Sequence, residues 1–576
     1  KHRIFFKPSE LKTAEDLLVA GNKRAAQLAN GKMPWSRATG LVVRGYVSRL
    51  DDSVQPYGLV IPESFSTDPW RKRRLDIWLH GRDNKLSELK FMEQRRTSAG
   101  QFTPPDTIVL HPYGRFCNAF KFAGEVDVLE ALTHAKTHYP VDDNRMSLRG
   151  FSMGGGGCWH LGTHLAADWI AVAPGAGFAE SLEYLGLSRK NELPPVYEQT
   201  LWGLYDATKY AGNLFNTVTV AYSGELDKQR QAADIMARHL AAEGLALHHV
   251  IGPDTGHKYH PAAKAEIDER LNAAASNGRN PVPARVRLLT QTLRYNRQAW
   301  VQVDGLQAHW QPARVEARTA SNERVEVTTE NVSRLVLSMP SGLCPLRPAG
   351  NPVVVIDGDK LSGARVRTDR SWESRFVKAL GRWRAIGRFE FVGLAKRPGL
   401  QGPIDDAFMG RFLMVRPTGQ ARSPLAAKWT AAQLAQALSD WELQFRAKPL
   451  VKDDNDLADT DIADCNLILW GDPQSNSAIA RVIDSLPVKW NETALRLGQA
   501  EAGSATHAPV LIYPNPLNPS RYLVLNSGFT FSRFGHMSNA TQTPKLPDWA
   551  LVDMRQPYNA GDPTCIAAAG FFDERW

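Results

Sequence analysis

A glycine-rich segment at residues 150–157 constrains the fold of this chain more than any other feature of its sequence. Its sequence is Gly-Phe-Ser-Met-Gly-Gly-Gly-Gly, so Ser152 stands in the pattern G-x-S-x-G. A strand-like run at residues 145–148 precedes it, and small residues suited to the start of a helix follow. This order predicts a tight strand–turn–helix that raises the serine hydroxyl above the edge of a sheet. The flanking glycines are required because side chains there would clash within the turn.

The pentapeptide alone is a weak indicator of catalysis, since short patterns recur by chance and a glycine run also forms flexible turns. A serine hydroxyl becomes a nucleophile when a base removes its proton. A catalytic Ser152 therefore predicts an acid and then a histidine further along the chain, each in a loop after a strand.

The candidate acid follows a run of β-branched residues. Residues 217–222 have the composition of a buried parallel strand, and Asp227 lies in the loop after it. Functional acids of open α/β sheets lie at this end of their strands. Glu225 is two residues away and stays open as the alternative acid; we favour Asp227.

The candidate base lies in the next loop of the same kind. A strand-like run at residues 248–251 leads into a glycine-containing loop that holds His257. His260 is the alternative, but we interpret it as a pocket-wall residue that contacts substrate or as a structural residue. The order Ser152, Asp227, His257 fits a serine hydrolase triad.

An oxyanion hole requires two N–H donors near the serine. We expect the backbone N–H of Met153, directly after the nucleophile, to be the first donor. Residues 74–79 alternate like a strand and lead into the loop that contains Gly81 and Arg82. We expect the N–H of one of these two residues to be the second donor. A plain strand-end turn is the alternative interpretation of this loop.

A further loop at the same edge follows the strand-like residues 107–110. It contains Tyr113 and Arg115. We predict substrate contacts for both side chains, with a purely structural role as the alternative.

Four stretches of sequence together resemble the α/β-hydrolases of the prolyl oligopeptidase superfamily. More narrowly, they are similar to secreted bacterial prolyl oligopeptidase-like esterases, which include feruloyl and acetyl esterases acting on plant or algal polysaccharides. The resemblance covers roughly residues 40 to 275. The stretches are Pro-Tyr-Gly-Arg at 112–115, Gly-Glu-Val-Asp-Val-Leu at 124–129, Val-Asp-Asp-Asn-Arg at 141–145 and Gly-Phe-Ser-Met-Gly-Gly at 150–155.

The resemblance implies a nucleophilic Ser152, a general base at His257 and an orienting carboxylate at Asp227. True prolyl oligopeptidases place a large β-propeller before the catalytic domain, and the 151 residues before Ser152 leave no room for one. We therefore expect an esterase that removes feruloyl or acetyl groups from polysaccharide-derived substrates. A serine peptidase acting on short peptides and a carbohydrate-binding protein with a relic triad are the alternatives.

Composition narrows the partners. The sequence has no Cys/His cluster at zinc spacing and no EF-hand loop, so we expect no metal and no cofactor. It has no long basic tract or nucleic-acid-binding motif, so we expect no nucleic-acid partner. No apolar run approaches the length of a membrane span, so we expect no membrane partner. The five cysteines are widely spaced, and their odd number leaves at least one unpaired within the chain. The resemblance implies a secreted or periplasmic location, although the chain begins without a signal peptide; the oligomeric state stays open.

The 576 residues exceed what one core holds, so several domains are expected. The fold class is predicted to be α/β, with the catalytic domain followed by a small β-rich domain and a second, smaller α/β domain. The predicted units are an N-terminal helical extension at 1–33, an α/β-hydrolase domain at 34–276, a β-sandwich-like module at 284–357 and a C-terminal α/β domain of unknown role at 370–576.

Overall fold

The computed structural model describes residues 4–190, 193–387, 393–531, 542–556 and 563–576. The first domain is built on eight strands: β1 Gly40–Val47, β2 Val54–Ile61, β3 Arg73–Leu79, β4 Thr107–Pro112, β5 Val141–Phe151, β6 Ala171–Gly175, β7 Val218–Gly224 and β8 His248–Gly252. They form one sheet in the order β1-β2-β4-β3-β5-β6-β7-β8. β2 is antiparallel to β1 and β4, and the strands from β4 to β8 run parallel.

Helices cover both faces of this sheet because its parallel strands are apolar on both sides. Val172 of β6 packs in the core on one face, whereas its neighbours Ala171 and Ala173 pack in the core on the other. The helices are α1 Ser9–Ala29, α2 Ser64–Thr67, α3 Glu88–Thr97, α4 Ala123–His138, α5 Met153–His164, α6 Ser181–Tyr184, α7 Val196–Leu201, α8 Arg230–Ala242 and α9 Pro261–Asn277. The predicted α/β class is confirmed, and the carboxyl ends of β3 to β8 meet at one edge.

Two five-stranded sheets follow the first domain. One contains β10, β11, β14, β17 and β18, and the other contains β9, β12, β13, β15 and β16. Alternate residues of their strands face a shared core, as in β12, where Val315 is buried and Glu316 is not. The strands are β9 Arg285–Thr290, β10 Arg297–Gln298, β11 Val301–Leu306, β12 Ala313–Ser321, β13 Arg324–Glu330, β14 Val332–Met339, β15 Val353–Ile356, β16 Asp359–Ser362, β17 Trp372–Ala379 and β18 Arg382–Ile386.

The predicted limits of the β-sandwich, 284–357, are wrong at the carboxyl end. β17 pairs with β14, with Phe376 opposite Leu335, so it belongs to the sandwich rather than to the C-terminal domain. Pairing across such a sequence distance leaves no local pattern, so the sequence does not indicate that the sandwich extends past residue 357.

The C-terminal domain is a second α/β unit with a mixed seven-stranded sheet in the order β20-β19-β21-β26-β25-β27-β28 and a separate three-stranded sheet, β22-β23-β24. Its helices are α10 Pro424–Phe445, α11 Asp459–Asp464 and α12 Ser477–Val482. Its strands are β19 Phe412–Arg416, β20 Val451–Asp453, β21 Asn466–Leu469, β22 Val488–Trp490, β23 Ala494–Leu497, β24 Ala500–Gly503, β25 His507–Asn515, β26 Asn518–Leu525, β27 Trp549–Asp553 and β28 Ile566–Gly570.

A buried ion-pair network joins the three domains. Arg294, which follows β9, donates to Glu125 of α4 at 3.1 Å and to Asp406, which precedes β19, at 3.2 Å. The hydroxyl of Tyr522 also donates to Asp406 at 2.6 Å. The first domain therefore makes buried polar contacts with both of the following domains.

Among the described residues, no helix is long and apolar enough to cross a membrane. All five cysteines are buried, and none of them forms a disulfide.

Candidate active site

Ser152 lies at the junction of β5 and α5, at the carboxyl edge of the eight-stranded sheet. Its backbone has φ 58° and ψ −118°, a region that L-residues rarely adopt and that costs about 1–3 kcal/mol. A Cβ on Gly154 would overlap the carbonyl oxygen of Leu79, and a Cβ on Gly150 would overlap the carbonyl of Gly154. The two glycines therefore permit the close approach of helix to sheet that the turn requires.

Neighbouring backbone holds the strained turn in place. The Ser152 N–H donates to the carbonyl of Gly175 on β6 at 2.9 Å, and the Ser152 carbonyl accepts from the N–H of Gly156 at 3.1 Å. Both backbone groups of the serine are thus satisfied, which leaves its side chain directed away from the sheet.

The structure brings Ser152, His257 and Asp227 together. Nε2 of His257 lies 2.8 Å from Ser152 Oγ, and Nδ1 of His257 lies 2.8 Å from Asp227 Oδ2. The Asp227 side chain is 3% exposed and the His257 side chain 43%. The carboxylate therefore orients the ring from the protein interior while the other edge of the ring faces the serine and solvent.

Glu225 has a different position. Its Oε2 accepts a hydrogen bond from the N–H of Asp254 at 3.0 Å, which closes the loop before the histidine. Asp227 is held by the N–H of Gln229, which donates to Oδ1 at 2.9 Å. Of the two acids weighed from the sequence, the structure places Asp227 beside the imidazole.

The predicted oxyanion donors lie next to the nucleophile. A Cβ on Gly81 would be 3.7 Å from the Cβ of Ser152, so the Gly81 backbone runs directly past the serine. Met153 is the first residue of α5, where an N–H group has no partner within the helix. Within the described part of the chain, the N–H groups of Met153, Gly81 and Arg82 have no hydrogen-bond acceptor.

The prediction that Tyr113 and Arg115 contact substrate is wrong. Both side chains are fully buried. The Tyr113 hydroxyl donates to the carbonyl of Leu86 at 2.9 Å, and Arg115 pairs with Asp51 at 2.7 Å. Arg115 has φ 50°, and this left-handed conformation is one of several in the loop after β4. The loop thus packs both side chains into the interior, away from solvent and substrate.

His260 caps the start of α9 rather than reaching the serine. Its backbone N–H donates to the Tyr222 hydroxyl at 2.8 Å, and its Cβ lies against Gly252. Among the described residues, its ring has no hydrogen bond with Ser152, Asp227 or His257.

Sequence reasoning missed the aromatic residues around the triad. The Phe151 ring lies 4.8 Å from the rings of both His257 and Tyr259, measured between centroids. Phe178 and Tyr184 stack at 3.9 Å. The only available signal was that Phe151 and Tyr259 are one and two residues from the triad, and nothing in the sequence pointed to the stacked pair.

Arg82 is an uncompensated cation at this edge. It directly follows Gly81, its side chain is exposed, and it has no ion pair or hydrogen bond with any described residue. Burial raises the pKa of Tyr184, and the positive charge of Arg82 opposes that rise, which places Arg82 near the stacked rings.

The described residues contain no group of three or more His, Cys, Asp or Glu side chains that could hold a metal ion.

No family model and no curated protein matches the chain. Among solved structures, it is similar to a ferulic acid esterase at 17% identity and TM-score 0.30, over 41% of this chain and 97% of the esterase. An S-formylglutathione hydrolase from Staphylococcus aureus matches at 14% identity and TM-score 0.30, over 41% of this chain and 98% of the hydrolase. Porphyromonas gingivalis dipeptidyl peptidase 4 matches at 15% identity and TM-score 0.31, over 41% of this chain and 35% of the peptidase. The chain thus spans about a third of the length of that peptidase. At these TM-scores, the fold description rests on the strand order and site geometry of the chain itself.

Proposed function

We propose that the chain is a serine hydrolase with Ser152 as nucleophile, His257 as general base and Asp227 as the orienting carboxylate. The observation that carries this proposal is the unbroken pair of 2.8 Å contacts from Ser152 Oγ through the imidazole to Asp227. The strained backbone at Ser152 supports it, because such conformations persist mainly where function requires them.

The geometry supports a two-step acyl transfer. Ser152 Oγ attacks the carbonyl carbon of an ester while Nε2 of His257 takes the hydroxyl proton, and the buried Asp227 carboxylate stabilises the imidazolium. The N–H of Met153 and that of Gly81 or Arg82 stabilise the oxyanion. His257 then protonates the leaving alcohol. Water attacks the acyl-enzyme, His257 takes its proton and returns it to Ser152 Oγ, and a carboxylic acid leaves.

We infer that esters of polysaccharide origin, with feruloyl or acetyl groups, are the preferred substrates. The His257 side chain is 43% exposed, and an open site of this kind suits a polymer chain. The partly exposed Tyr184, held by its stack on the buried Phe178, offers a surface for a sugar or aromatic ring. The unpaired charge of Arg82 favours substrates that carry carboxylates, such as acidic sugars. A secreted or periplasmic location remains a prediction that accompanies this substrate class.

A peptidase uses the same triad, and the chemistry at Ser152 does not separate the two reactions. A peptidase that binds the free amino terminus of a short peptide needs an unpaired carboxylate at the rim. Two nearby acids are already engaged: Asp83 pairs with Lys90 at 2.6 Å, and Glu225 accepts from the Asp254 N–H. The unpaired cation Arg82 would repel that amine, which supports the ester assignment.

The test is a turnover assay of the wild type and Ser152→Ala on p-nitrophenyl acetate, methyl ferulate and a proline anilide peptide. We expect ester hydrolysis that Ser152→Ala abolishes, with no release from the anilide. Anilide cleavage would establish the peptidase instead. Ester turnover by Ser152→Ala at the wild-type rate would refute the triad.

The absence of turnover on every substrate is informative only if the protein is folded. Equal melting temperatures for the wild type and Ser152→Ala provide that control, because the substitution removes one partly exposed hydroxyl. A folded wild type that hydrolyses none of the esters, and that a serine-directed fluorophosphonate does not label, would favour a binding protein with a relic triad.

A further inference from the structure

The N-terminal helix α1 covers the catalytic domain without packing into it. None of its residues is buried, and Leu11, Leu18 and Leu28 are 54–66% exposed. Between α1 and the domain lies a cavity of about 1160 Å³, larger than the roughly 300–1,000 Å³ of ordinary small-molecule pockets. Helices on domain surfaces normally bury an apolar face, so this gap is unlike ordinary packing.

The wall of the cavity is mostly apolar. Leu17 on α1, Val43 on β1, Leu89 and Met92 on α3 and Leu443 on α10 all line it. It lies over α3 and the β1–β2 edge, whereas the triad lies at the carboxyl ends of β5, β7 and β8. A ligand held there is therefore separate from the proposed substrate of Ser152.

The same cavity carries excess positive charge. Its lining includes five basic and two acidic side chains. One of the acids, Glu88, is already paired with Arg446 at 2.7 Å. Arg24, Arg44 and Arg96 lie close to one another, and burial followed by the charges of Arg44 and Arg96 lowers the pKa of Arg24.

Arg44 lacks a partner for part of its guanidinium. Its Nη2 donates to the Trp35 carbonyl and to the Tyr139 hydroxyl, whereas its Nη1 is buried and has no acceptor among the described residues. A buried donor left unpaired is destabilising, so an anionic acceptor would be stabilising at this position.

We propose that this cavity binds one amphiphilic molecule whose apolar chain lies between α1 and α3 and whose carboxylate or phosphate head binds at Arg24, Arg44 and Arg96. The apolar wall accounts for the chain and the arginine cluster for the head. α1 then acts as a cover that gains its missing apolar contacts from the ligand.

Gly21 allows a direct test of the location. It lines the cavity from α1, and a Cβ added there meets no atom within 4 Å. Gly21→Trp should place its indole ring in the cavity. Lys23→Trp is the matched control, because Lys23 is an exposed residue of the same helix that does not line the cavity.

The experiment measures binding of dodecanoate and dodecyl phosphate, below their micelle concentrations, to the full chain by calorimetry and native mass spectrometry. We expect one molecule per chain, a loss of at least about tenfold in affinity in Gly21→Trp and none in Lys23→Trp. Arg24→Gln should lower the affinity for both anions by about tenfold, as expected for the loss of a charged hydrogen bond. It should leave the affinity for an uncharged dodecyl glycol ether unchanged. The stronger of the two anions identifies the head group.

Several outcomes would overturn the proposal. They are equal binding by Gly21→Trp and wild type, equal affinity for the glycol ether and the anions, and binding to phosphatidylglycerol vesicles without binding to any free amphiphile. Circular dichroism of each variant excludes loss of α1 as the cause. The Arg24→Gln comparison provides a second route to the answer if Gly21→Trp fails to fold.

Discussion

Asp227 Oδ2 lies 2.8 Å from His257 Nδ1, and the carboxylate is buried whereas the imidazole is exposed. This contact fixes which ring nitrogen carries the proton, because a carboxylate accepts from an N–H. The opposite nitrogen is then free of a proton and faces the serine hydroxyl. The Asp227 carboxylate therefore keeps His257 in the tautomer that can accept the serine proton.

Asp227→Asn should lower kcat by about four orders of magnitude without unfolding the protein, because an amide can hold the wrong tautomer of the ring. Ester turnover of the variant, measured alongside its melting temperature, checks this. Glu225→Gln is the matched control, since Glu225 only accepts from the Asp254 N–H. A greater loss of kcat in Glu225→Gln than in Asp227→Asn would show that Glu225, and not Asp227, is the acid of the triad.

Gly154→Ala should destabilise the protein by about 1–3 kcal/mol and abolish turnover, because its Cβ would overlap the Leu79 carbonyl. Gly21→Ala adds a methyl group in open space within a helix and should stabilise by about 0.5–1 kcal/mol. Thermal unfolding and ester assays of both variants provide the measurement. A Gly154→Ala protein with wild-type activity would contradict the strained turn.

The buried Glu125 should make stability depend on acid pH. Burial alone would raise its pKa, but the charge of Arg294 and hydrogen bonds from His160 and Tyr295 outweigh burial and lower the pKa to about 2. The ordinary value is 4.5, so the unfolded chain binds this proton more tightly than the folded one. The carboxylate therefore contributes stability above about pH 4.5, and this contribution is lost as the pH falls toward 2.

Glu125→Gln should thus lose on the order of 3 kcal/mol at neutral pH and show a flatter decline than the wild type between pH 4.5 and 2.5. Urea unfolding at a series of pH values measures both effects. Glu269→Gln serves as the control, because Glu269 is exposed and has no hydrogen bond within the described chain. Parallel pH curves for the wild type and Glu125→Gln would show that the network does not hold Glu125 ionised.

Arg82→Gln should reduce the preference for esters that carry a carboxylate. An exposed ion pair contributes about 0.2–1 kcal/mol, so KM for monomethyl succinate should rise by up to about fivefold, while KM for methyl butanoate should stay constant. Lys72→Gln, at the opposite edge of the sheet, controls for the change in overall charge. An equal effect on both esters would remove Arg82 from substrate recognition and leave the triad assignment untouched.

Much of the catalytic domain was predictable because its determinants are local. The G-x-S-x-G segment demands a tight turn within a few residues, and the apolar runs before Asp227 and His257 predict buried strands by composition. Parallel strands with helical connections bring their carboxyl ends to one edge. The order of the three residues along the chain therefore predicts their proximity.

The interior role of Arg115 was not predictable in this way. Loop residues at the end of a strand point toward the site or into the core according to their φ angles, and the left-handed φ of 50° is a product of packing. The choice of Asp227 over Glu225 likewise depends on the path of one loop. The sandwich boundary depends on the β14–β17 pairing, which joins residues far apart in sequence.

The sequence by itself determined the α/β class, the position of the strained turn at Ser152 and the strands that deliver Asp227 and His257, because these follow from residue spacing and chain connectivity. The tertiary structure decided which side chains face solvent, which acid meets the imidazole, how Arg294 ties the domains together and where the cavity under α1 lies. Those features arise from contacts between segments distant in the chain, and no local pattern of residues encodes them.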